Sequence, residues 1–116
     1  MDTKTLGRRG ELIAVEHLID QGWEIIATNW RCRHGEIDVI ADDGDSLVFV
    51  EVKTRTSARA GHPLEAVTAG KIATMRGLAL RWLAEQPEWI PRFRIDVIGI
   101  LWNGGRPEIS HVRDAR

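Results

Sequence analysis

At 116 residues, 43% hydrophobic and 28% charged, the chain suits one folded domain (1–116) with its own core, and nothing in its composition argues for disorder. A formal net charge of −1 excludes whole-molecule steering toward nucleic acid, so such binding would need local clusters. Cys32, the only cysteine, excludes an internal disulfide and a multi-cysteine zinc site, and no apolar run is long enough to cross a bilayer.

The opening stretch, MDTKTLGRRGELI, lacks the apolar run of a secretory signal, so a cytoplasmic location and no membrane partner are expected. Thr3 to Gln21 reads as a helix closed by Gly22. At helical spacing Ala14, Leu18, Val15, Ile19 and Leu12 span one broad apolar arc. Glu11 falls within that arc, an odd place for a carboxylate unless this end of the helix overhangs the core. Trp23 to Trp30 follows as a strand, and RCRHG as a polar corner. Cys32 sits between two arginines, which favour a thiolate, but no histidine or acid is placed to make it a nucleophile.

Residues 36–53, EIDVIADDGDSLVFVEVK, form two β-prone runs around an Asp-Gly turn. The segment holding Gly61 and Pro63 reads as loop. Thr68 is an N-cap for a helix running to about Glu85 and stopped by Pro87, with Ile72, Met75, Ala79, Trp82 and Leu83 facing inward. A strand from Phe93 to Trp102 alternates, placing Phe93, Ile95, Val97 and Leu101 on one face. Asn103-Gly104-Gly105 turns the chain into a short last strand near Ile109. The order α-β-β-β-α-β-β implies an α/β fold: one mixed sheet of about five strands flanked by helices. Trp23, Trp30 and Trp82 read as core; Trp89 and Trp102 lie near element ends, where an exposed ring can stack a base or join an oligomer contact.

The charges inside the hairpin are the unusual feature. With Asp43-Gly44 at the turn centre, opposing residues sum to 87, so Asp38 faces Phe49 and Glu36 faces Glu51. Asp38, Glu51 and Lys53 then share a face, with Asp38 and Glu51 as diagonal neighbours. Two carboxylates this close repel unless a cation lies between them. A hard divalent ion such as Mg²⁺ uses such ligands together with substrate phosphate, and Lys53 would reach the same point. The arrangement suits phosphodiester hydrolysis; the competing reading is an exposed Glu–Lys pair beside a polar corner. Local basic clusters exist at Arg31, Arg33 and His34, and at Lys53, Arg55 and Arg59, although such clusters are more often solvated loop surface.

The stretches GRRGELIAVEHLIDQGWEIIATNWRCRHGEIDVIA, LVFVEVKTR, GHPLEAVTAGK and RIDVIGI resemble the YraN family of small bacterial proteins. That family is similar to the PD-(D/E)XK nucleases and to archaeal Holliday-junction resolvases. The resemblance implies a restriction-endonuclease-like αβββαβ core. It also implies a catalytic set of Glu11, Asp38, Glu51 and Lys53, with Mg²⁺ or Mn²⁺ held by Asp38, Glu51 and Glu11. Arg31, Arg33, Arg55, Arg59 and Lys71 are the expected nucleic-acid contacts. Asp96 sits where the family has Arg-Phe-Asp, here with Ile95 in place of the aromatic, and is expected to pair with Arg94 or Arg92. The implied partner is nucleic acid, DNA above RNA, and a homodimer is expected for a junction substrate. Residue pattern alone separates neither DNA from RNA nor a junction from a duplex, and fold likeness is not evidence of reaction. A non-catalytic nucleic-acid- or protein-binding module that keeps the fold therefore stands as the second expectation.

Overall fold

In a computed structural model describing residues 1–116, helix α1 (Thr3–Asp20) leads into strands β1 (Glu24–Cys32), β2 (Gly35–Asp42) and β3 (Leu47–Arg55). A 3₁₀ turn (Pro63–Ala66) precedes helix α2 (Ala69–Ala84), and strands β4 (Phe93–Leu101) and β5 (Glu108–Val112) follow. The five strands form one sheet in sequence order, antiparallel except for the parallel pair β3–β4. That pair needs a long crossover, which α2 supplies.

The sheet has a core on each side. Ala14, Leu18, Trp23, Val39, Val50 and Ile98 pack on the α1 side; Ile40, Phe49, Met75, Trp82, Ile95 and Val97 pack on the α2 side. Because β4 is flanked by strands and covered on both faces, Ile95 through Ile100 are all buried, not only the alternate residues expected for a half-wet strand. Helix α1 is narrower in its contact than its sequence arc suggests. Gly10, Ala14 and Leu18, at i, i+4 and i+8, are buried, whereas Leu12 and Ile19 are 63% and 54% exposed.

Helix boundaries follow their caps. Asp2 accepts from the Thr5 N–H, Thr68 accepts from the Lys71 N–H, and Gly22 takes φ +86° just beyond α1. The loop reading around Pro63 is corrected by the 3₁₀ turn, which His62 and Glu65 cap reciprocally. β1 also runs two residues past Trp30, taking in Arg31 and Cys32, so the polar corner shrinks to Arg33-His34.

Asp96 is fully buried on β4 and anchors the end of the chain to the sheet. It accepts from Arg94 Nε (2.9 Å), His111 Nε2 (2.8 Å) and the Asp114 N–H (3.0 Å). The expected pairing with Arg94 is therefore present, while Arg92 pairs with Asp45. Burial alone would raise the Asp96 pKa, but His111, Arg94 and the Asp114 amide together hold it below the ordinary aspartate value. Arg94 and Arg113 also lie over the Trp23 ring.

Removing this carboxylate strands its partners. Asp96→Ala is expected to lower unfolding free energy by about 3–5 kcal/mol in urea titrations. The sign with pH follows from the depressed pKa. Stabilisation by Asp96 is fully present above about pH 4 and fades as pH falls through its lower folded-state value, so wild type should lose more stability on acidification than Asp96→Asn. A second test concerns Thr54, whose Oγ1 is buried without a hydrogen-bond partner. Thr54→Val should raise stability by about 1 kcal/mol in the same assay.

Candidate functional site

The β2–β3 turn sets the geometry. Asp42 Oδ1 accepts from the Gly44 N–H, and Asp43 Oδ1 accepts from the N–H groups of Asp45 and Ser46. These side-chain turns make a four-residue loop, Asp43 to Ser46, and shift the register by two from the expected one. Val39 now faces Val50 and Asp42 faces Leu47. An even shift keeps every side chain on its expected face, but it brings Asp38 from diagonal to level with Glu51. The ladder stops at Val39–Val50, one residue short of opposing those two carboxylates. Directly opposed like charges disfavour pairing, and the strands part there.

Asp38 is turned into the parting. Its Oδ2 accepts from the Val52 N–H at 2.8 Å, filling the place of a ladder bond that β2 no longer supplies. The strand is wrung at this residue: Ile37 and Val39, two apart, belong to opposite cores. β1 shares the irregularity, since Asn29, level with Asp38, has φ +53°, a left-handed conformation that asparagine tolerates.

Asp38 is 7% exposed. Burial first, then the Glu51 charge, pushes its carboxyl up to about 7; the Val52 amide opposes the shift, and Glu11 and Glu36 add to it. Glu51, half-buried on β3, is also raised by burial, against the pull of Lys71 and Lys53. Lys71, at the start of α2, lies 3.7 Å from Glu51. Lys53 is exposed, two residues along the same strand.

Glu11 arrives from the other layer. Gly10 lets α1 close on β3, because a Cβ there would collide with the Thr54 side chain. Glu11 is half-buried; burial raises its pKa, opposed by the neighbouring Asn29 amide, Arg31 and Arg8, and assisted by Glu36.

The structure thus brings Glu11, Asp38, Glu51, Lys53 and Lys71 into one electrostatic neighbourhood. No three His, Cys, Asp or Glu side chains stand close enough to form a ready-made metal cage. The donor set is nevertheless all carboxylate oxygen, partly withdrawn from water and mutually repelling, which is the chemistry a hard divalent cation fits.

Glu36 was given no role by sequence reasoning. It adds its field to all three carboxylates while pairing with Arg31 at 2.9 Å. Its position two residues before Asp38 on β2 was the available signal. Of the other basic candidates, Arg33 and Arg59 are exposed, whereas Arg55 donates to the carbonyls of Ala60 and Gly61 and so braces its own loop.

The sequence pattern of the uncharacterised protein family UPF0102 matches residues 10–100. A UPF0102 protein of Clavibacter michiganensis subsp. michiganensis (strain NCPPB 382) is 50% identical over 111 residues, covering 95% of this chain and 94% of the relative. Those of Rhodococcus opacus (strain B4), at 50%, and Arthrobacter sp. (strain FB24), at 49%, are matched over 94% and 92% of their lengths, and over 95% and 93% of this chain.

The raised Asp38 pKa carries a stability prediction for metal-free buffer. Below about pH 4 the carboxyl is protonated in both folded and unfolded chains, with no penalty. Between about 4 and 7 the folded chain retains a proton that the unfolded chain releases, so stability contributed by this group falls as pH rises. Asp38→Asn, which can still accept from Val52, should exceed wild type by on the order of 2 kcal/mol at pH 8 and match it near pH 4 in denaturant titrations.

Proposed function

The chain belongs to the uncharacterised protein family UPF0102, and on that footing we propose a divalent-metal-dependent nuclease that hydrolyses phosphodiester bonds of structured or single-stranded nucleic acid. The observation that carries this reading is the Asp38 carboxylate, buried in the parting of β2 and β3 beside Glu51, with the field of Glu11 reaching it from α1 and that of Lys53 acting on Glu51. A structural role alone does not explain a carboxylate kept where burial and its neighbours oppose its ionisation.

In this proposal Asp38 and Glu51 hold Mg²⁺ or Mn²⁺, with Glu11 completing the site. A bound ion would polarise the scissile phosphate and lower the pKa of attacking water. Asp38 is fixed by the Val52 amide, so one ligand is pre-oriented. Lys71 holds the Glu51 charge in the metal-free chain. Lys53, being exposed, is free to meet a phosphate oxygen or steady the nucleophile. DNA is the first substrate to test, and a homodimer is proposed for a junction.

A second reading has its own support. The acids are not gathered into a cage, and Lys71 already neutralises Glu51, as suits a binding module that retains the fold without catalysis. Both readings meet one experiment. Purified protein is incubated with Mg²⁺ or Mn²⁺ and branched, single-stranded and duplex DNA, with Mn²⁺ titration by calorimetry alongside. The nuclease reading expects cleavage that drops at least 100-fold in Asp38→Asn and Glu51→Gln, and roughly 100-fold in Lys53→Ala. Cleavage that survives the carboxylate variants would come from a contaminant, and absent cleavage with no Mn²⁺ heat would leave the binding module.

A further inference from the structure

A groove of about 500 Å³ runs between the first three turns of α1 and the edge strand β1. Its helical wall is one stripe, Thr3, Lys4, Gly7, Arg8, Glu11, Leu12 and Val15, spaced at three and four residues. Thr28, Asn29 and Arg31 of β1 make the opposite wall, and Glu36 and Glu11 stand at the end that meets the carboxylate site. The groove therefore shares Glu11 and Glu36 with the carboxylate neighbourhood, while Asp38 and Glu51 lie beyond its lining.

Cations and acids both line it: Arg31 pairs with Glu36, and the fields of Arg8 and Arg31 reach Glu11. Lys4 and Arg8 are exposed, one helical turn apart, and neither is held in an ion pair. The acids lie where phosphate would be cut, and the free cations lie where phosphate would only be held.

Gly7 supplies an independent observation. A glycine inside a helix is less favourable than an alanine, because its backbone loses more freedom on folding. At Gly10 that cost is explained by contact with Thr54, but a Cβ at Gly7 would meet nothing within 4 Å. Packing gives no reason for Gly7, as it gives none for Gly77 in α2; of the two, only Gly7 lines this groove. A bare backbone between Lys4 and Arg8, in the helical wall of the groove, allows close approach by another chain.

We infer that this groove holds an unpaired nucleic-acid strand and delivers it to the carboxylate site, with Lys4 and Arg8 contacting successive phosphates and Gly7 letting the strand approach the helix between them. The inference rests on the nuclease reading and narrows its substrate to nucleic acid with a single-stranded segment. The volume fits a ligand of about one nucleotide at a time, whereas a duplex would ride across the rim. Polar walls from Thr28 and Asn29 suit sugar and phosphate rather than base readout, so weak sequence preference follows.

The test is binding without turnover. Fluorescence anisotropy in metal-free buffer would compare a fluorescein-labelled 20-mer single-stranded DNA with a hairpin duplex, from 50 to 200 mM salt. Wild type is expected to prefer the single strand. Lys4→Glu/Arg8→Glu should weaken that binding at least tenfold and flatten the slope of log K against log salt by about 1.4, for two phosphates at about 0.7 each. Gly7→Leu should weaken it about tenfold with an unchanged or higher Tm, a pattern a structural glycine would not give. Single-strand affinity unaltered in both variants overturns the groove, as does wild type that binds only duplex, and either leaves the nuclease reading standing. Wild type that binds neither probe and cuts no substrate overturns both.

Discussion

The parting of β2 from β3, before Val39 on one strand and after Val50 on the other, is the constraint on which the site depends. A continuous ladder would have set Asp38 against Glu51 and covered both with neighbours. Instead the strands separate, and Asp38 restores the lost hydrogen bond by accepting from Val52. One side chain thus terminates the pairing and is itself aimed by it. At this parting Glu11 from α1 acts on Asp38, and Lys71 from α2 acts on Glu51. The irregularity extends to Asn29 on the edge strand, where the groove along α1 begins.

Much of this was legible in the sequence because period and punctuation agreed. Thr68, Pro87 and Gly22 marked helix ends that the structure respects, and alternation in VFVEVK placed Glu51 and Lys53 on the strand that bears the site. The register was read two residues short because Asp42 and Asp43 build a turn from their side chains, which hydrophobic alternation does not report. Parity survived that error, and with it the proximity of Asp38 to Glu51. Depth was harder to read. Leu12 and Ile19 looked as apolar as Ala14 and Leu18, but how far a helix overhangs a sheet depends on its crossing, which Gly10 and Thr54 fix. Glu36 escaped notice because an exposed acid acts here through its field on three others.

Stability is distributed unevenly between the two ends of the molecule. Asp96 is satisfied by three donors, two of them cationic or capable of becoming so, and its charge favours the fold. Asp38 has a single amide and three acidic neighbours, and its charge opposes the fold. Two buried aspartates in one sheet therefore act in opposite directions. The well-partnered one maintains the architecture, and the poorly partnered one holds electrostatic strain where a cation or a phosphate could relieve it.

The parallel pairing of Leu47 with Phe93 has a consequence for how the chain assembles. Everything from α1 through β3 can form by short-range closure, but β4 must come from more than forty residues away before its hydrogen bonds are made. Until it docks, the hydrophobic run Leu47 to Val50 lies on an open sheet margin, a template for another copy of itself. Docking of β4 is thus the step with the largest loop-closure cost, and it is also the one that covers this margin.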